Sequence, residues 1–407
     1  MRLGLVSAKY PFGPKEPYLH TELRALAPRL ESVSVIPTSP TAAERGFDGV
    51  PGEVVRLPLA GLATFGLAAG AFARHPLRAL STVGALLREP YPWRAKLKNL
   101  AVVPKGLAVA ELARARRLDH LHAYWLSTPA TVAWIAARVA GIPFSATAHR
   151  WDVYENNMAA RKVRDAAFVR TISERGRRDL LARTGGDPAK VTVVRLGVEL
   201  AASGRVPVVA GDSWGRLRDG ARPLRILCAA ALVPVKGHPV LVQALSLLRG
   251  LGVSFSCTLA GDGPQREEIA GLIAGAGLAD VVHLAGNVPH DELLAQLQHG
   301  AYDVSLIASV EGAGGLMEGV PVALLEAMAA GTVVVATDSG SVGELVDGTT
   351  GLLVPHSDPA ALAMALQRVA SDPALRDRLR DAARARVERD FDVARTTERL
   401  MALLVTV

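Results

Sequence analysis

The 407-residue sequence predicts an α/β protein that has two domains, each built on a doubly wound parallel sheet. Three observations support this fold class. Short apolar runs alternate with helical stretches along both halves of the chain. The length suits two domains of roughly 200 residues better than one core. A stretch rich in Gly, Ser, Pro and Arg, residues 199–223, separates the two halves. We expect the two domains to face each other across a cleft, which is a common place for a ligand.

The first half begins with the strand RLGLVSA, followed by a helical stretch over residues 18–30. Residues 60–117 are mostly helical in pattern, and TPATVAWIAARVAG has a helical period that ends at a glycine. The remaining strands of this half are expected at SVSVIPT, EVVRLPL, DHLHAYW, PFSATAH, DAAFVRTIS and KVTVVRLGV. We assign residues 1–205 to an N-terminal domain.

The second half repeats the alternation. HPVLVQALSLL is a helix with Pro239 in its first turn, where proline is well tolerated. The expected strands are PLRILCAAAL, SFSCTLAG, VVHLAG, YDVSLIAS, TVVVAT and GLLVP. We assign residues 206–385 to a C-terminal domain, and residues 386–407 to a helix that returns toward the N-terminal domain.

The composition limits the cellular setting. Cys228 and Cys257 both lie in apolar, strand-like runs, so we expect buried, reduced thiols and a cytoplasmic protein. The apolar run at the start is too short for a signal peptide. The uncharged stretch between Arg56 and Arg74 is too short and too rich in Gly and Ala to span a membrane, and predicts a buried or surface-lying helix.

The net charge of +7 is concentrated in residues 71–120, which hold ten basic residues against Glu89, Glu111 and Asp119. Two interpretations stay open. The segment is a solvated helical face, or it is a patch for anionic lipid headgroups or a phosphate-bearing acceptor. The second would place the protein peripherally on the inner face of the plasma membrane. Nucleic-acid binding is not expected, because no recognition motif accompanies the charge.

The segment MEGVPVALLEAMAAG, residues 317–331, carries two glutamates eight positions apart, Glu318 and Glu326. An apolar strand precedes it, so Glu318 belongs to a loop at the carboxyl edge of the sheet, where open α/β sheets bind ligands. A helix over 322–330 would offer unpaired amides to a phosphate. Glu326 on that helix suits the hydroxyls of a ribose. The segment therefore indicates a nucleotide-sugar.

Other strand ends carry further candidates. Lys236 and Gly237 in ALVPVKGH follow the first strand of the second half, where a lysine can neutralise a diphosphate. ATAHRWD places His149 and Asp152 at a strand end, where a histidine can hydrogen-bond a sugar. DHLHAYW adds His122. The sequence lacks the glycine signature of nicotinamide binding, a phosphate-binding P-loop and zinc-ligand spacing.

Together these segments resemble glycosyltransferase family 4, the retaining enzymes of the GT-B fold, over nearly the whole chain in order. ATAHRWD, VRTISERGRRDL, VVRLGVEL, ALVPVKGH, LAGDGPQREEI and VVHLAGNVPHDEL each match a family segment. The most specific block is EGVPVALLEAMAAGTVVVATDSGSVGELVDGTTGLLVP. The segment ASVEGAGGLMEGVPVALLEAMAAG is similar to the exopolysaccharide branch, such as the colanic-acid and amylovoran transferases.

The resemblance implies a role for each matching residue. Glu318 would face the donor sugar and α-phosphate, Lys236 would grip the diphosphate, and His149 would line the sugar side; these three are the expected catalytic residues. Glu326 would hold the ribose, and Glu344 would support the loop. The remaining donor-binding residues would be Gly13, Asn287, Val288, Gly319, Val320, Pro321 and Val322, and the acceptor side would hold Asp152 and His122.

The resemblance implies a metal-independent, retaining glycosyltransferase without a cofactor. Its donor would be a nucleoside-diphosphate-sugar, and its acceptor a glycan, a lipid-linked molecule or a small molecule. The family usually has an arginine where this chain has Ala231, and an asparagine where it has Leu196. Two alternatives stay open: a synthase of the same fold acting on a phosphorylated sugar, and a non-catalytic binding protein that kept the fold.

Overall fold

The computed structural model describes residues 1–12, 16–40, 49–155, 157–200, 222–312 and 315–406. Gly13 and most of the stretch 199–223 lie outside the described residues. The chain divides into two compact units. The N-terminal unit comprises Met1–Gly197 and Val393–Val407, and the C-terminal unit comprises Val198–Asp392.

The N-terminal unit holds a seven-stranded sheet among its described residues, in the order β3-β2-β1-β4-β5-β6-β7, and every pairing is parallel. The strands are β1 Arg2–Ser7, β2 Ser32–Pro37, β3 Glu53–Val54, β4 His120–Ala123, β5 Phe144–Ala148, β6 Val169–Thr171 and β7 Val191–Val193. The helices are α1 Pro17–Leu26, α2 Leu62–Arg74, α3 Pro76–Arg88, α4 Trp93–Ala101, α5 Val103–Ala115, α6 Thr128–Ala140, α7 Arg150–Glu155, α8 Ala159–Asp165 and α9 Glu174–Thr184.

The predicted strand EVVRLPL shortens to the two residues of β3. This strand lies at the sheet edge, and Glu53 and Val54 pair with β2. The amide of Val55 still donates to the Val35 carbonyl at 2.8 Å, and the chain then turns, because the amide of Leu57 donates to the Val55 carbonyl at 3.0 Å.

The C-terminal unit repeats the pattern with a six-stranded sheet, again among described residues and again all parallel, in the order β10-β9-β8-β11-β12-β13. The strands are β8 Leu224–Ala229, β9 Phe255–Ala260, β10 Val282–Gly286, β11 Val304–Ile307, β12 Val333–Asp338 and β13 Leu352–Pro355. The helices are α10 His238–Gly250, α11 Arg266–Gly275, α12 His290–Gln298, α13 Val322–Ala329, α14 Pro359–Ser371 and α15 Pro373–Asp390. A last helix, α16 Val393–Val405, belongs to the N-terminal unit.

Alternation along the strands places apolar side chains on both faces of each sheet. In β1, Val6 packs into the core under α5 and α6, whereas Leu3 and Leu5 point to the opposite face. Leu400 and Leu404 of α16 pack with Leu3 on that second face. Helices therefore cover both faces, which confirms the predicted doubly wound α/β class.

The predicted burial of the two thiols is also confirmed. Cys228 in β8 and Cys257 in β9 are buried and unpaired. The uncharged stretch forms the surface-lying helix α2. Across the described ranges, every helix falls short of the length and apolarity that crossing a membrane demands.

Candidate functional site

The candidate site lies where the strand order of the C-terminal sheet reverses. The chain proceeds from β8 to β9 on one side, while β11 and β12 continue on the other side. The loops that leave the carboxyl ends of β8 and β11 therefore lie at the switch point, the usual ligand position in such sheets. Lys236 lies in the loop after β8, and Glu318 in the loop after β11.

A close backbone approach joins these two loops. Gly237 has a φ of +63°, and a Cβ at this position would lie 2.0 Å from the carbonyl oxygen of Ala308. The amide of Val310 donates to the carbonyl of Val235 at 2.9 Å. Only glycine fits such a contact in a left-handed conformation. The approach holds the neighbouring Lys236 against the end of β11.

Lys236, Ser309 and Glu318 form the centre of the site. The Nζ of Lys236 lies 2.6 Å from Oε2 of Glu318, and the hydroxyl of Ser309 donates to the same oxygen at 2.7 Å. Glu318 is nearly buried, with 9% of its surface exposed. Lys236 is the only lysine between residues 198 and 392. A cation and an anion are thus held together at the switch point.

The backbone around Glu318 is held equally firmly. The amide of Ser341 donates to the carbonyl of Glu318 at 3.1 Å, and the amide of Gly319 donates to Oε1 of the carboxylate at 3.1 Å. A Cβ on Gly340 would lie 1.9 Å from the Glu318 carbonyl oxygen. The 3-10 turn Val342–Glu344 follows directly, and its Glu344 carbonyl accepts from Arg386. The Gly319 amide is therefore already engaged by the carboxylate.

The segment after Glu318 forms the predicted helix. Val320 and Pro321 are buried, and α13 begins at Val322. Pro321 at the N-cap supplies no side-chain hydrogen bond to the first turn. The expected order of strand, loop and helix is confirmed.

A pocket of about 230 Å³ opens at the same sheet edge. Asn287 and Val288 line it, as do Ala231 and Asp262. The turn after β9 shapes the pocket, because a Cβ on Gly261 would lie 2.1 Å from the carbonyl oxygen of Ala230. The full lining is Ala230, Ala231, Ala260, Gly261, Asp262, Asn287, Val288 and Leu293.

Glu326 has a partner that sequence reasoning missed. Oε1 of Glu326 on α13 lies 2.7 Å from Nε2 of His290, the first residue of α12. The two residues are 36 positions apart. His290 stands in the quoted segment VVHLAGNVPHDEL, but nothing in its spacing connects it to Glu326. Ser309 was missed for the same reason.

The pair of His290 and Glu326 predicts a pH-dependent contribution to stability. The hydrogen bond to Glu326 raises the pKa of His290 above its ordinary value, while burial lowers it and Asp291 raises it further. Because the folded pKa is raised, protonated His290 stabilises the unit fully below about pH 6.5, and the contribution is lost as pH rises through the folded pKa. We expect a His290→Gln variant to lose this part of the slope of stability against pH.

Urea unfolding between about pH 6 and pH 9 measures this slope. His299→Gln, which changes an exposed histidine of the same helix region, serves as the matched control. Equal slopes for the wild type and His290→Gln would contradict the prediction.

The N-terminal unit has a corresponding switch point between β1 and β4, and His149 follows the next strand, β5. Its ring is buried against Trp125, with centroids 4.3 Å apart, and against Tyr18 and Tyr124. Burial lowers the pKa of His149 to about 3, so the imidazole is neutral at physiological pH. Its Nε2 has no hydrogen-bond partner within the part of the chain that the structure describes. His149 can therefore serve as a hydrogen-bonding group but not as an imidazolium.

Asp152 and Lys162 together hold the loop after β4. The carboxylate of Asp152 accepts from the amides of Leu126, Ser127 and His149 at 3.0 to 3.1 Å. The Nζ of Lys162 donates to the carbonyls of Leu126 and Ser127 at 2.8 and 2.7 Å. Burial raises the pKa of Asp152 to about 6 and lowers that of Lys162 to about 7. We name these two residues the loop clamp.

The expected acceptor contacts of Asp152 and His122 give way to internal ones. His122 is buried in β4, with Nδ1 bonded to Ser145 at 2.7 Å and Nε2 to Thr147 at 2.9 Å. Neither nitrogen is left for a ligand. Both side chains therefore hold the ends of strands within the N-terminal unit.

Comparison with protein families gives the class of this chain. The family described as Glycosyltransferase Family 4 matches residues 16–202, and Glycosyl transferases group 1 matches residues 218–386. D-inositol 3-phosphate glycosyltransferase of Salinispora arenicola is 30% identical over 338 residues, which cover 74% of this chain and 71% of that protein. The chain belongs to glycosyltransferase family 4.

Two other relatives are named for the biosynthesis of exopolysaccharides. A protein of Escherichia coli K12 that is named for colanic acid biosynthesis is 38% identical over 229 residues. The alignment covers 55% of this chain and 53% of that protein. The amylovoran biosynthesis glycosyltransferase AmsK of Erwinia amylovora is 36% identical over 211 residues, covering 51% and 49%. The chain thus spans about half the length of these curated relatives.

Solved structures establish the fold. Anabaena HepE in complex with UDP-glucose superposes with a TM-score of 0.72 at 18% identity and covers 100% of both chains. Sucrose-phosphate synthase from Thermosynechococcus elongatus gives 0.74 at 20% identity, covering 100% of this chain and 98% of its own. With its two parallel Rossmann-like sheets, the chain has the expected GT-B fold.

Proposed function

We propose that the protein is a retaining glycosyltransferase that uses a nucleoside-diphosphate-sugar. The observation that carries the proposal is the ion pair of Lys236 and Glu318 at the switch point of the C-terminal sheet, on the same edge as the pocket beside Asn287. A single fixed cation at a sheet edge is suited to a diphosphate. A carboxylate beside it is suited to sugar hydroxyls.

The donor would spread over three neighbouring features. The base enters the pocket lined by Asn287 and Val288, and the ribose hydroxyls donate to Glu326. The diphosphate lies on Lys236 and on the amides that open α13. The hydrogen bond from His290 fixes the side-chain conformation of Glu326 before the donor binds. Binding of the ribose would therefore cost less side-chain entropy at Glu326.

Lys236 would act most strongly as the glycosidic bond breaks. The bond from C1 of the sugar to the phosphate oxygen is cleaved, the acceptor oxygen bonds to C1, and the acceptor hydroxyl proton passes to the departing phosphate. Negative charge grows on the diphosphate during this step, and a nearby ammonium stabilises it. Because Lys236 and the helix amides supply the positive charge, the reaction would need no metal ion.

Glu318 would position Lys236 and face the donor sugar. Its Oε2 already accepts from Lys236 and Ser309, so the lysine is directed before the donor arrives. The Gly319 amide, which the family resemblance places among the donor-binding groups, would orient the carboxylate. His149, neutral and with Nε2 unpartnered among described residues, would offer a hydrogen bond to a sugar hydroxyl.

The acceptor would be a glycan or a lipid-linked sugar. Relatives named for colanic acid and amylovoran biosynthesis support this class. A phosphorylated acceptor is the second candidate, because the relative that aligns over 338 residues is named for D-inositol 3-phosphate.

A thermal-shift panel of nucleoside diphosphates and their sugars tests the donor class. We expect one base to raise the unfolding temperature clearly more than the others, since a ligand present at about 100 times its Kd stabilises the folded state by about 2.7 kcal/mol. Proton NMR of the product from the matching sugar donor then reports the anomeric configuration. No stabilisation by any diphosphate would overturn the proposal, and inversion at the anomeric carbon would overturn the retaining mechanism.

A further inference from the structure

Helices α2, α3 and α4 expose large apolar side chains to solvent. Leu62 on α2 is 94% exposed and Leu77 on α3 is 81% exposed. Among the described residues, eight of the fourteen exposed large apolar side chains lie on these three helices: Leu62, Phe65, Phe72, Leu77, Leu80, Leu87, Trp93 and Leu97. We call these eight residues the apolar surface.

The spacing places these side chains on one face of each helix. Leu77, Leu80 and Leu87 on α3 follow steps of three and seven residues, so they share a face, and Trp93 and Leu97 on α4 are one turn apart. The buried positions of α3 are Ala79, Thr82 and Leu86. The helix thus buries one face and still presents three leucines to water on the other face, where an ordinary surface helix carries polar residues. Such patches mark interaction sites.

The three helices form one region of the protein surface, because α3 contacts both α2 and α4. An isolated exposed leucine needs no explanation, whereas a face repeated on three consecutive helices in contact does.

The charge around the apolar surface is strongly positive. Residues 57–100 contain one acidic residue, Glu89, and its Oε1 accepts from Arg161 and Arg164 at 3.1 and 2.9 Å. The basic residues of the same segment are Arg74, Arg78, Arg88, Arg94, Lys96 and Lys98. Arg88 and Arg94 are exposed and pair with no carboxylate of the described residues, and the guanidinium of Arg94 lies over the ring of Trp93.

We propose that the apolar surface and its basic residues dock the protein on an anionic lipid bilayer. Leucine, phenylalanine and tryptophan side chains would enter the boundary between headgroups and acyl chains, as interfacial helices do. Arg88 and Arg94 would meet the lipid phosphates. Charge complementarity selects this occupant, because a second copy of the chain would bring the same positive charge to the contact. The inference does not depend on the proposed reaction.

Co-sedimentation of the full chain with vesicles tests the proposal. We expect binding to vesicles of equal parts phosphatidylcholine and phosphatidylglycerol, little binding to phosphatidylcholine alone, and weakening by salt. The variant Leu62→Gln/Leu77→Gln/Leu97→Gln changes one exposed leucine per helix and should weaken binding at least about tenfold, since apolar burial drives insertion. Arg88→Gln/Arg94→Gln should weaken it by a similar factor, because each arginine near an anionic surface contributes about fivefold.

The control variant Leu247→Gln/Leu272→Gln/Met364→Gln removes exposed apolar side chains from helices of the C-terminal unit. It should bind vesicles as the wild type does. Absence of wild-type binding to anionic vesicles would overturn the proposal, as would an equal loss in the control. Sedimentation velocity without lipid adds one further outcome: a dimer that the three-leucine variant abolishes would assign the surface to self-association instead.

Discussion

Replacing Lys236 by methionine should lower kcat/KM for donor cleavage by about two to three orders of magnitude, as does loss of one preorganised group that stabilises developing charge. The ammonium lies 2.6 Å from Glu318, and no other lysine exists between residues 198 and 392 to replace it. Methionine keeps an unbranched side chain of similar length and removes the ammonium group, with its charge and its hydrogen-bond donors. The release of nucleoside diphosphate from the donor selected by thermal shift measures the effect.

The matched control is Arg249→Met, which removes an exposed cation of the same unit that also pairs with a carboxylate, Asp280, at 2.7 Å. We expect its kcat/KM to stay within about twofold of the wild type, because exposed ion pairs contribute little. Full activity of Lys236→Met would show that Lys236 does not stabilise the leaving diphosphate, which would contradict the proposed role.

The converse change tests the same electrostatics. Ala231 is exposed on the pocket wall, where the family usually has an arginine. Ala231→Arg should tighten nucleoside-diphosphate binding by about tenfold or more, since a charge-assisted hydrogen bond contributes roughly 1.5 kcal/mol or more. Ala231→Gln adds similar bulk without charge and should not. Equal effects of the two variants would show that size, not charge, decides.

Replacing Asp152 by asparagine should cost about 3 to 5 kcal/mol of unfolding free energy, the range for breaking a buried charged group away from its partners. Asp152 is 3% exposed and Lys162 is fully buried. The carboxylate accepts three backbone amides, and an amide side chain would turn an N–H toward at least one of them. The change also removes the attraction of Asp152 for the buried amine of Lys162 and leaves only the smaller attraction of Glu155.

Urea unfolding followed by tryptophan fluorescence measures this loss, because four of the five tryptophans belong to the N-terminal unit: Trp93, Trp125, Trp134 and Trp151. The control is Asp119→Asn, an exposed carboxylate that also accepts a backbone amide, from Arg2 at 2.7 Å. It should lose less than about 1 kcal/mol. If Asp152→Asn also loses less than about 1 kcal/mol, the loop clamp does not contribute to stability as proposed.

Much of the fold could be predicted from the sequence. Helical and strand periods differ, so alternating apolar runs located the strands and the helix at Val322, and the glycines after them marked the turns. One predicted strand came out shorter than expected. The strand EVVRLPL shortened because its place at the sheet edge, which no local pattern reveals, left it one partner.

The site could be predicted only in part. Lys236 and Glu318 were assigned because each follows an apolar strand, and parallel strands end at one edge. Ser309 and His290 were not found, because their hydrogen bonds to Glu318 and Glu326 depend on side-chain directions across separate elements. His122 illustrates a second limit of sequence patterns. A histidine near a strand end is a residue type that often binds ligands. In the structure, however, both of its ring nitrogens are hydrogen-bonded to Ser145 and Thr147 of the neighbouring strand.

The sequence by itself determined the two parallel sheets, the family, and which strand ends carry charged residues, since these follow from period, spacing and residue type. Tertiary structure alone decided that Lys236 and Glu318, which are 82 positions apart, share one hydrogen bond, and that Asp152 holds a loop from inside. The physical reason is that contacts distant along the chain depend on packing, and packing is set by all the neighbours at once. No local pattern of residues contains that information.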